Sequence, residues 1–171
     1  MDLVELERVD DECSGLVRAL LADCGDEFVP PLSSRHSTSQ SELGPDQPHG
    51  DGVDAYFEEM RRQPIILALE GSELVGFLSY IPGFVLDFLP GQSYYVSTIC
   101  VNRAHRRRGI ASLLYDRVEQ IARPGIVSLR TWSTNAAQIG ALGRRGYVCV
   151  KRIVDDRGKG IDTVYFAKSL E

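Results

Sequence analysis

The stretch "CVNRAHRRRGIASLLYDRVEQIA", Cys100 to Ala122, places Arg103, Arg106, Arg107 and Arg108 within six residues of a 171-residue chain whose net charge is -5. An apolar run, "SYYVSTICV" (Ser93 to Val101), leads into it and reads as a strand. Beyond it Ile110, Leu113, Leu114, Val118 and Ile121 recur at helical spacing on one face, and Pro124-Gly125 stops the helix. The arginines therefore lie between a strand end and the first turn of an amphipathic helix. Free backbone N–H groups and the positive end of the helix dipole make that position an anion site. Gly109 lets an anion approach the main chain closely, and Arg106, Arg107 and Arg108 add charge-assisted hydrogen bonds of about 1.5–3 kcal/mol each when well formed. A phosphate group is the expected ligand. The chain contains neither G-x-x-x-x-G-K-[ST] nor G-x-G-x-x-G, which argues against a P-loop and against a Rossmann dinucleotide turn.

Working outward, "DLVELERV" (Asp2 to Val9) alternates like a strand, and Asp10 to Asp23 carries Leu16, Val17, Leu20 and Leu21 at helical spacing. "PPLSSRHSTSQSELGPDQPHGDG" (Pro30 to Gly52) is rich in Ser, Pro and Gly and reads as a long loop too polar to pack, either a functional lid or disordered. A short helix, "VDAYFEEMRRQ" (Val53 to Gln63), precedes "PIILALE" and "ELVGFLSYI", a hairpin turning at Gly71-Ser72, and a loop containing Pro82, Gly83, Pro90 and Gly91 follows. After the arginine helix come a strand, "IVSLRTW" (Ile126 to Trp132), a short helix from Ala136 to Arg145, and a hairpin of "YVCVKRIV" with "IDTVYFAKSL". The pattern predicts one α/β domain over residues 1–171, with a mixed sheet ending in an antiparallel hairpin.

Composition narrows the class. No apolar run approaches the roughly 18 residues of a membrane span, and the acidic start "MDLVELERVDDE" is unlike a signal peptide, so a cytoplasmic protein is expected, with no membrane partner. Cys13, Cys24, Cys100 and Cys149 form no CxxC pair, and His36, His49 and His105 are scattered, so buried thiols and no metal site are expected. Residues 1–90 carry 18 acids against 5 Arg, a balance of -13, whereas residues 91–171 carry 14 Lys and Arg against 6 acids, a balance of +8. Such a division reflects solvated faces or two ligands of opposite sign. Nucleic-acid binding normally needs a broader basic surface than one turn on an acidic chain.

"RRRGIA", Arg106 to Ala111, fits [QR]-x-x-G-x-[GA], and with the strand before it and the helix after it resembles motif A of the GNAT acetyltransferases. "WSTNAAQIGALGRRGY" (Trp132 to Tyr147) is similar to that family's motif B, with Asn135, Gly146 and Tyr147 in its characteristic places. The order of elements matches over nearly the whole chain. The resemblance implies the GNAT fold, a mixed sheet of about seven strands flanked by about four helices, and transfer of an acetyl group from acetyl-CoA directly to a primary amine. It implies that backbone amides of Arg106, Arg107, Arg108, Gly109, Ile110, Ala111 and Ser112 hold the CoA pyrophosphate. It gives the main chain of Ile99, Cys100 and Val101 the pantetheine arm and the thioester carbonyl, and gives Asn135 a pantetheine contact beside a helix-capping role. A homodimer is common in the family.

Acyl transfer to an amine requires amine deprotonation, stabilisation of the thioester oxygen and departure of the thiolate. Many family members protonate the sulfur with a tyrosine seven residues after the motif B asparagine, but here that position is Leu142. Where some members carry a glutamate base this chain has Ser97, so a water held by Ser97 or Thr98 is the expected proton acceptor. Leu142 also admits an acyl-CoA-binding module without catalysis. An acidic first half on the acceptor side predicts a cationic amine, as a small molecule or on a protein.

Overall fold

A computed structural model describes residues 1–46 and 52–171; residues 47–51, His49 among them, lie outside the described part of the 30–52 loop. The elements run β1 (Asp2–Leu6), α1 (Ser14–Gly25), α2 (Asp54–Met60), β2 (Ile65–Glu70), β3 (Glu73–Val85), β4 (Gln92–Val101), α3 (Ile110–Ala122), β5 (Gly125–Trp132), α4 (Ala136–Arg144), β6 (Val148–Ile153) and β7 (Thr163–Leu170). The seven strands form one mixed sheet in the order β1-β2-β3-β4-β5-β7-β6. β4 and β5 are parallel neighbours and the other pairs are antiparallel. The seven strands and four helices are those of the GNAT fold expected from the sequence.

Each face of the sheet carries its own core. Ile110, Leu114, Val118 and Ala122 of α3 pack with Ile66, Leu78, Val96, Val127, Leu129 and Leu142 on one face. Val17, Leu20 and Leu21 of α1 and Tyr56, Phe57 and Met60 of α2 pack with Ile65, Phe77 and Cys100 on the other. Burying an aliphatic side chain of this size contributes about 1.5–3 kcal/mol, so the apolar stripe of α3 suffices to press it onto the sheet behind β4. Leu113, expected on that stripe, is 39% exposed, because the buried face follows the i, i+4 positions 110, 114, 118 and 122 and takes in Tyr115 and Glu119 instead.

Two expectations are corrected. β3 does not end at Ile81 but continues to Val85, with a register shift between Ile81 and Phe84. Pro82 and Gly83, at φ +68°, occupy that irregularity, where a missing N–H and a left-handed residue disturb no ladder. Nor is the loop after α1 too polar to pack. Leu32 and Leu43 are fully buried, and Thr38 and Gln40 are buried with their polar atoms satisfied. Thr38 donates its N–H to Glu59 at 2.9 Å, and Gln40 accepts from the N–H groups of His36 and Ser37 at 2.9 and 3.1 Å. Polar residues enter an interior when each finds a partner, which composition does not report. Among the described residues no helix is long and apolar enough to cross a membrane, and no cluster of His, Cys, Asp and Glu could hold a metal ion.

Candidate active site

The parallel strands β4 and β5 pair over three rungs, Tyr94 with Val127, Tyr95 with Ser128 and Val96 with Leu129, and then separate. Beyond Val96 the β5-facing edge of β4 has no strand partner; the Ser97 and Val101 carbonyls accept from the Tyr56 hydroxyl and Arg106, and the rest of that edge is open to a ligand. A cleft of about 520 Å³ fills the gap, lined by residues 96–101 of β4, residues 129–132 of β5, and residues 134–138 leading into α4, with Cys24, Glu27, Phe28 and Arg106 completing it. The divergence coincides with a bulge. Ser79 of β3 pairs with Thr98 and Tyr80 with Val96, which leaves Ser97 as the extra residue of β4. A bulge re-aims neighbouring side chains and bends its strand.

Ser97 and Thr98 thereby belong to a hydrogen-bonded cluster at the bend. Ser97 Oγ donates to Gln63 Oε1 at 2.5 Å and lies 2.9 Å from Ser79 Oγ. Gln63 Nε2 donates to Thr38 Oγ1, which donates to Glu59. The Tyr56 hydroxyl is 2.7 Å from Thr98 Oγ1 and donates to the Ser97 carbonyl at 3.2 Å. Burial pushes the Tyr56 phenol up to about 12, so it stays protonated at neutral pH. The proton of Ser97 is committed to Gln63, which leaves its oxygen as an acceptor for a water or an amine.

At the other end, Gly109 caps α3 at φ +81° and Arg107 stands at φ +63°. The first intrahelical bond runs from the Leu113 N–H to the Gly109 carbonyl, so the N–H groups of Ile110, Ala111 and Ser112 precede the ladder. A Cβ on Gly109 would meet nothing within 4 Å, so the space before the helix is open. The Ile110 side chain is core, leaving its backbone N–H for binding. Arg106 pairs with Glu27 at 2.8 Å and reaches the Val101 carbonyl, Arg103 pairs with Glu27 at 2.6 Å, and Arg108 pairs with Glu70 at 2.6 Å. The Arg106 and Arg103 hydrogen bonds hold Glu27 below the usual carboxylate range. Of the four arginines, Arg107 alone has no ion-pair partner among the described residues. Arg107, Arg108, Gly109, Ile110, Ala111 and Ser112 do not line the cleft itself but continue from Arg106 into the first turn of α3.

Asn135 both caps α4, accepting from the Gln138 N–H at 3.4 Å, and lines the cleft, donating to Thr131 at 3.1 Å. Cys24, Glu27 and Phe28 escaped the sequence reading, because nothing local shows that the end of α1 crosses β4. The neighbouring Cys100 thiol and Arg106 guanidinium lower the Cys24 thiol from its ordinary value, while its S–H donates to the Val101 carbonyl at 3.8 Å.

Leu142 is fully buried with Leu114, Tyr115 and Tyr147 in the core under α3 and α4, and does not line the cleft. Leu142→Tyr is expected to destabilise the fold by about 1–3 kcal/mol through overpacking, with no gain in turnover. Urea unfolding alongside a thiol-release assay checks both.

The acetyltransferase (GNAT) family model matches residues 29–147. No curated protein sequence matches the chain. Among solved structures, an aminoglycoside 6'-N-acetyltransferase complexed with coenzyme A superposes with a TM-score of 0.70 at 18% identity, over 99% of this chain and 97% of that one. The structure of yncA from Salmonella typhimurium with its cofactor acetyl-CoA gives 0.67 at 15% identity, over 99% and 94%. Arabidopsis thaliana NAA60 in complex with a bisubstrate analogue gives 0.68 at 16% identity, over 99% of each chain. An open strand edge, a bulge and an exposed helix N-terminus behind a left-handed glycine are what an acyl-CoA thioester and its pyrophosphate require, and the residues present fit that group. The chain belongs to the acetyltransferase (GNAT) family, and is an acyl-CoA-dependent N-acyltransferase with acetyl-CoA as co-substrate.

Proposed function

We propose that residues 1–171 act as one domain that transfers the acetyl group of acetyl-CoA directly to a primary amine. The observation that carries the proposal is the separation of β4 from β5 at the Ser97 bulge, leading to the N-terminus of α3. Acetyl-CoA supplies an activated acyl group when bound. The N–H groups of residues 107–112 and the Arg107 guanidinium hold its pyrophosphate, the open edge of Ile99, Cys100 and Val101 holds the amide arm, and Asn135 borders it. A β4 N–H polarises the thioester carbonyl. Ser97, whose own proton is held by Gln63, orients a water that takes one proton from the ammonium of the acceptor, assisted by Thr98. The neutral amine then forms the C–N bond as the C–S bond breaks. A second proton leaves nitrogen and one returns to sulfur, so the products are the N-acetyl amine, the CoA thiol and one proton. With a thiol pKa of about 8.5, the sulfur can depart largely as thiolate, so no phenol at position 142 is needed.

The cationic acceptor suggested by the charge division loses much of its support. Glu5 pairs with Arg117, Glu27 with Arg103 and Arg106, and Glu70 with Arg108, so these acids of the first half bind arginines of the second. The acceptor is cationic at its amine, as any amine of pKa about 10 is before deprotonation. The four unpaired thiols support a reducing, cytoplasmic setting. Purified protein given acetyl-CoA and a panel of amines is expected to release thiol with at least one of them. Stabilisation by acetyl-CoA without thiol release from any amine would favour the alternative, a cofactor-binding module that performs no chemistry.

A further inference from the structure

Arg130 is the first residue of β5 beyond its last rung with β4, so it stands level with the Ser97 bulge, and it lines the cleft with Phe28 and Trp132. Arg35, from the loop after α1, lies over the Phe28 ring at 5.5 Å. Arg157, from the β6–β7 turn, lies over the Trp132 ring at 5.9 Å, and the two rings are 5.7 Å apart. Two guanidinium groups from elements far apart in sequence thus flank the aromatic pair from behind the cleft, while Arg130 alone of the three lines the cleft itself. Arg35 is 7% exposed and Arg157 4%.

Their partners are poor for buried cations. Arg35 donates Nε to the Pro30 carbonyl at 3.1 Å. Arg157 donates Nη1 to the Val29 carbonyl at 2.7 Å and Nε to Thr163 at 2.9 Å. Arg130 donates Nη1 to the Tyr165 hydroxyl at 3.4 Å. The Nη2 atoms of Arg35 and Arg130 are buried without a hydrogen-bond partner, and among the described residues no carboxylate forms a salt bridge with any of the three. Burial and cationic neighbours bring Arg35 down to about 10 and Arg157 to about 9, the latter against the Asp156 carboxylate that Thr163 links to it, whereas Arg130 is raised, and all three remain charged at neutral pH. The nearby Tyr95 phenol, pushed up to about 12 by burial, supplies no negative charge. Buried like charges are costly unless an anion completes the site, and the guanidinium fork suits a planar carboxylate.

We propose that the acceptor is an amine that also carries a carboxylate, an amino-acid-like molecule whose carboxylate docks on Arg130, with the charges of Arg35 and Arg157 behind it, while its amine faces the Ser97 bulge. This rests on the acetyltransferase reading. Phe28 and Trp132, the aromatic residues that line the cleft, suit an apolar side chain.

The test compares thiol release from acetyl-CoA with the common L-amino acids, their amides and spermidine, in wild type and Arg130→Met. Trp132 is the single tryptophan and lies in the cluster, so its fluorescence, titrated with N-acetyl-L-leucine and N-acetyl-L-leucinamide in the presence of CoA, reports the same site without turnover. A preference for acid over amide of about tenfold or more, lost in Arg130→Met, is expected, because a site built for a polar group discriminates against analogues lacking it. The variant should melt no lower than wild type without ligand, since it relieves a buried unpaired cation. Equal responses to acid and amide in both assays, or acetylation of spermidine alone, would overturn the inference. Stabilisation by acetyl-CoA is measured alongside: its loss in wild type would defeat the acetyltransferase reading, whereas its presence without a carboxylate preference would defeat this inference alone.

Discussion

Glu119→Ala is expected to lower the unfolding free energy by about 3–5 kcal/mol, the largest stability effect of any single change considered for this chain. Glu119, on α3, is 6% exposed, and three elements meet on its carboxylate. Arg145, capping α4, donates to Oε1 from Nη2 at 3.0 Å and from Nε at 3.2 Å, the Tyr147 hydroxyl donates to the same oxygen at 3.2 Å, and Lys168 of β7 donates to Oε2 at 2.8 Å. The surroundings are tightly closed, with Arg145 over the Tyr115 ring and Lys168 over the Tyr147 ring. Removing the carboxylate leaves Lys168 uncompensated and the Tyr147 hydroxyl without its acceptor, while Arg145 keeps Asp116 at 2.6 Å, and losing one side of a buried pair costs far more than the pair contributes. For a domain of this size each kcal/mol moves the melting point by about 2–4 °C, so a fall of roughly 10 °C should appear in a thermal melt. Glu119→Gln, which keeps the shape and can still accept from Tyr147, should fall by less. A loss below about 1 kcal/mol in the alanine variant would show that the cluster is solvated and structurally minor.

This cluster also marks what the sequence conceals. "RRRGIASLLY" announces strand, turn and helix because each depends on neighbours: the glycine accepts a positive φ and the apolar residues keep a helical period. Glu119 reads from the same stretch as a solvated helix position, and only the approach of α4 and β7 makes it an interior anion. Residues 30–46 mislead in the same way, since their polarity suggests solvent while Thr38 joins Gln63 and Glu59 inside.

The candidate site divides along the same line. The β4 stretch from Ser97 to Val101, Arg106 and Asn135 all line the cleft, and all were singled out from runs of adjacent residues. The bulge that leaves Ser97 unpaired depends on β3, and the arginine cluster draws on positions 35, 130 and 157, whose juxtaposition no local pattern reveals. The charge division was visible in the sequence, but its meaning was not: much of the opposition is used in holding the first half to the second, through Glu5 with Arg117, Glu27 with Arg106 and Glu70 with Arg108.

Gly109→Asp is expected to abolish stabilisation by acetyl-CoA and to lower kcat/KM for acetyl-CoA by at least about a hundredfold, equivalent to some 2.7 kcal/mol. At a hundred times its dissociation constant the ligand should stabilise the wild type by about 2.7 kcal/mol, a shift of roughly 5–11 °C. Two features of position 109 assign the loss to binding. A Cβ there meets no atom within 4 Å, so the substitution does not disturb packing. The residue precedes the free N–H groups of α3, so a carboxylate there occupies the positive end of the helix and repels a pyrophosphate. The backbone at φ +81° costs a non-glycine residue about 1 kcal/mol, less for Asp than for most, so the unliganded variant should melt only a few degrees lower. Gly109→Ala carries comparable strain without the charge and should retain part of the shift. Full stabilisation of Gly109→Asp by acetyl-CoA would show that the phosphate lies elsewhere, and would remove the N-terminus of α3 from the mechanism.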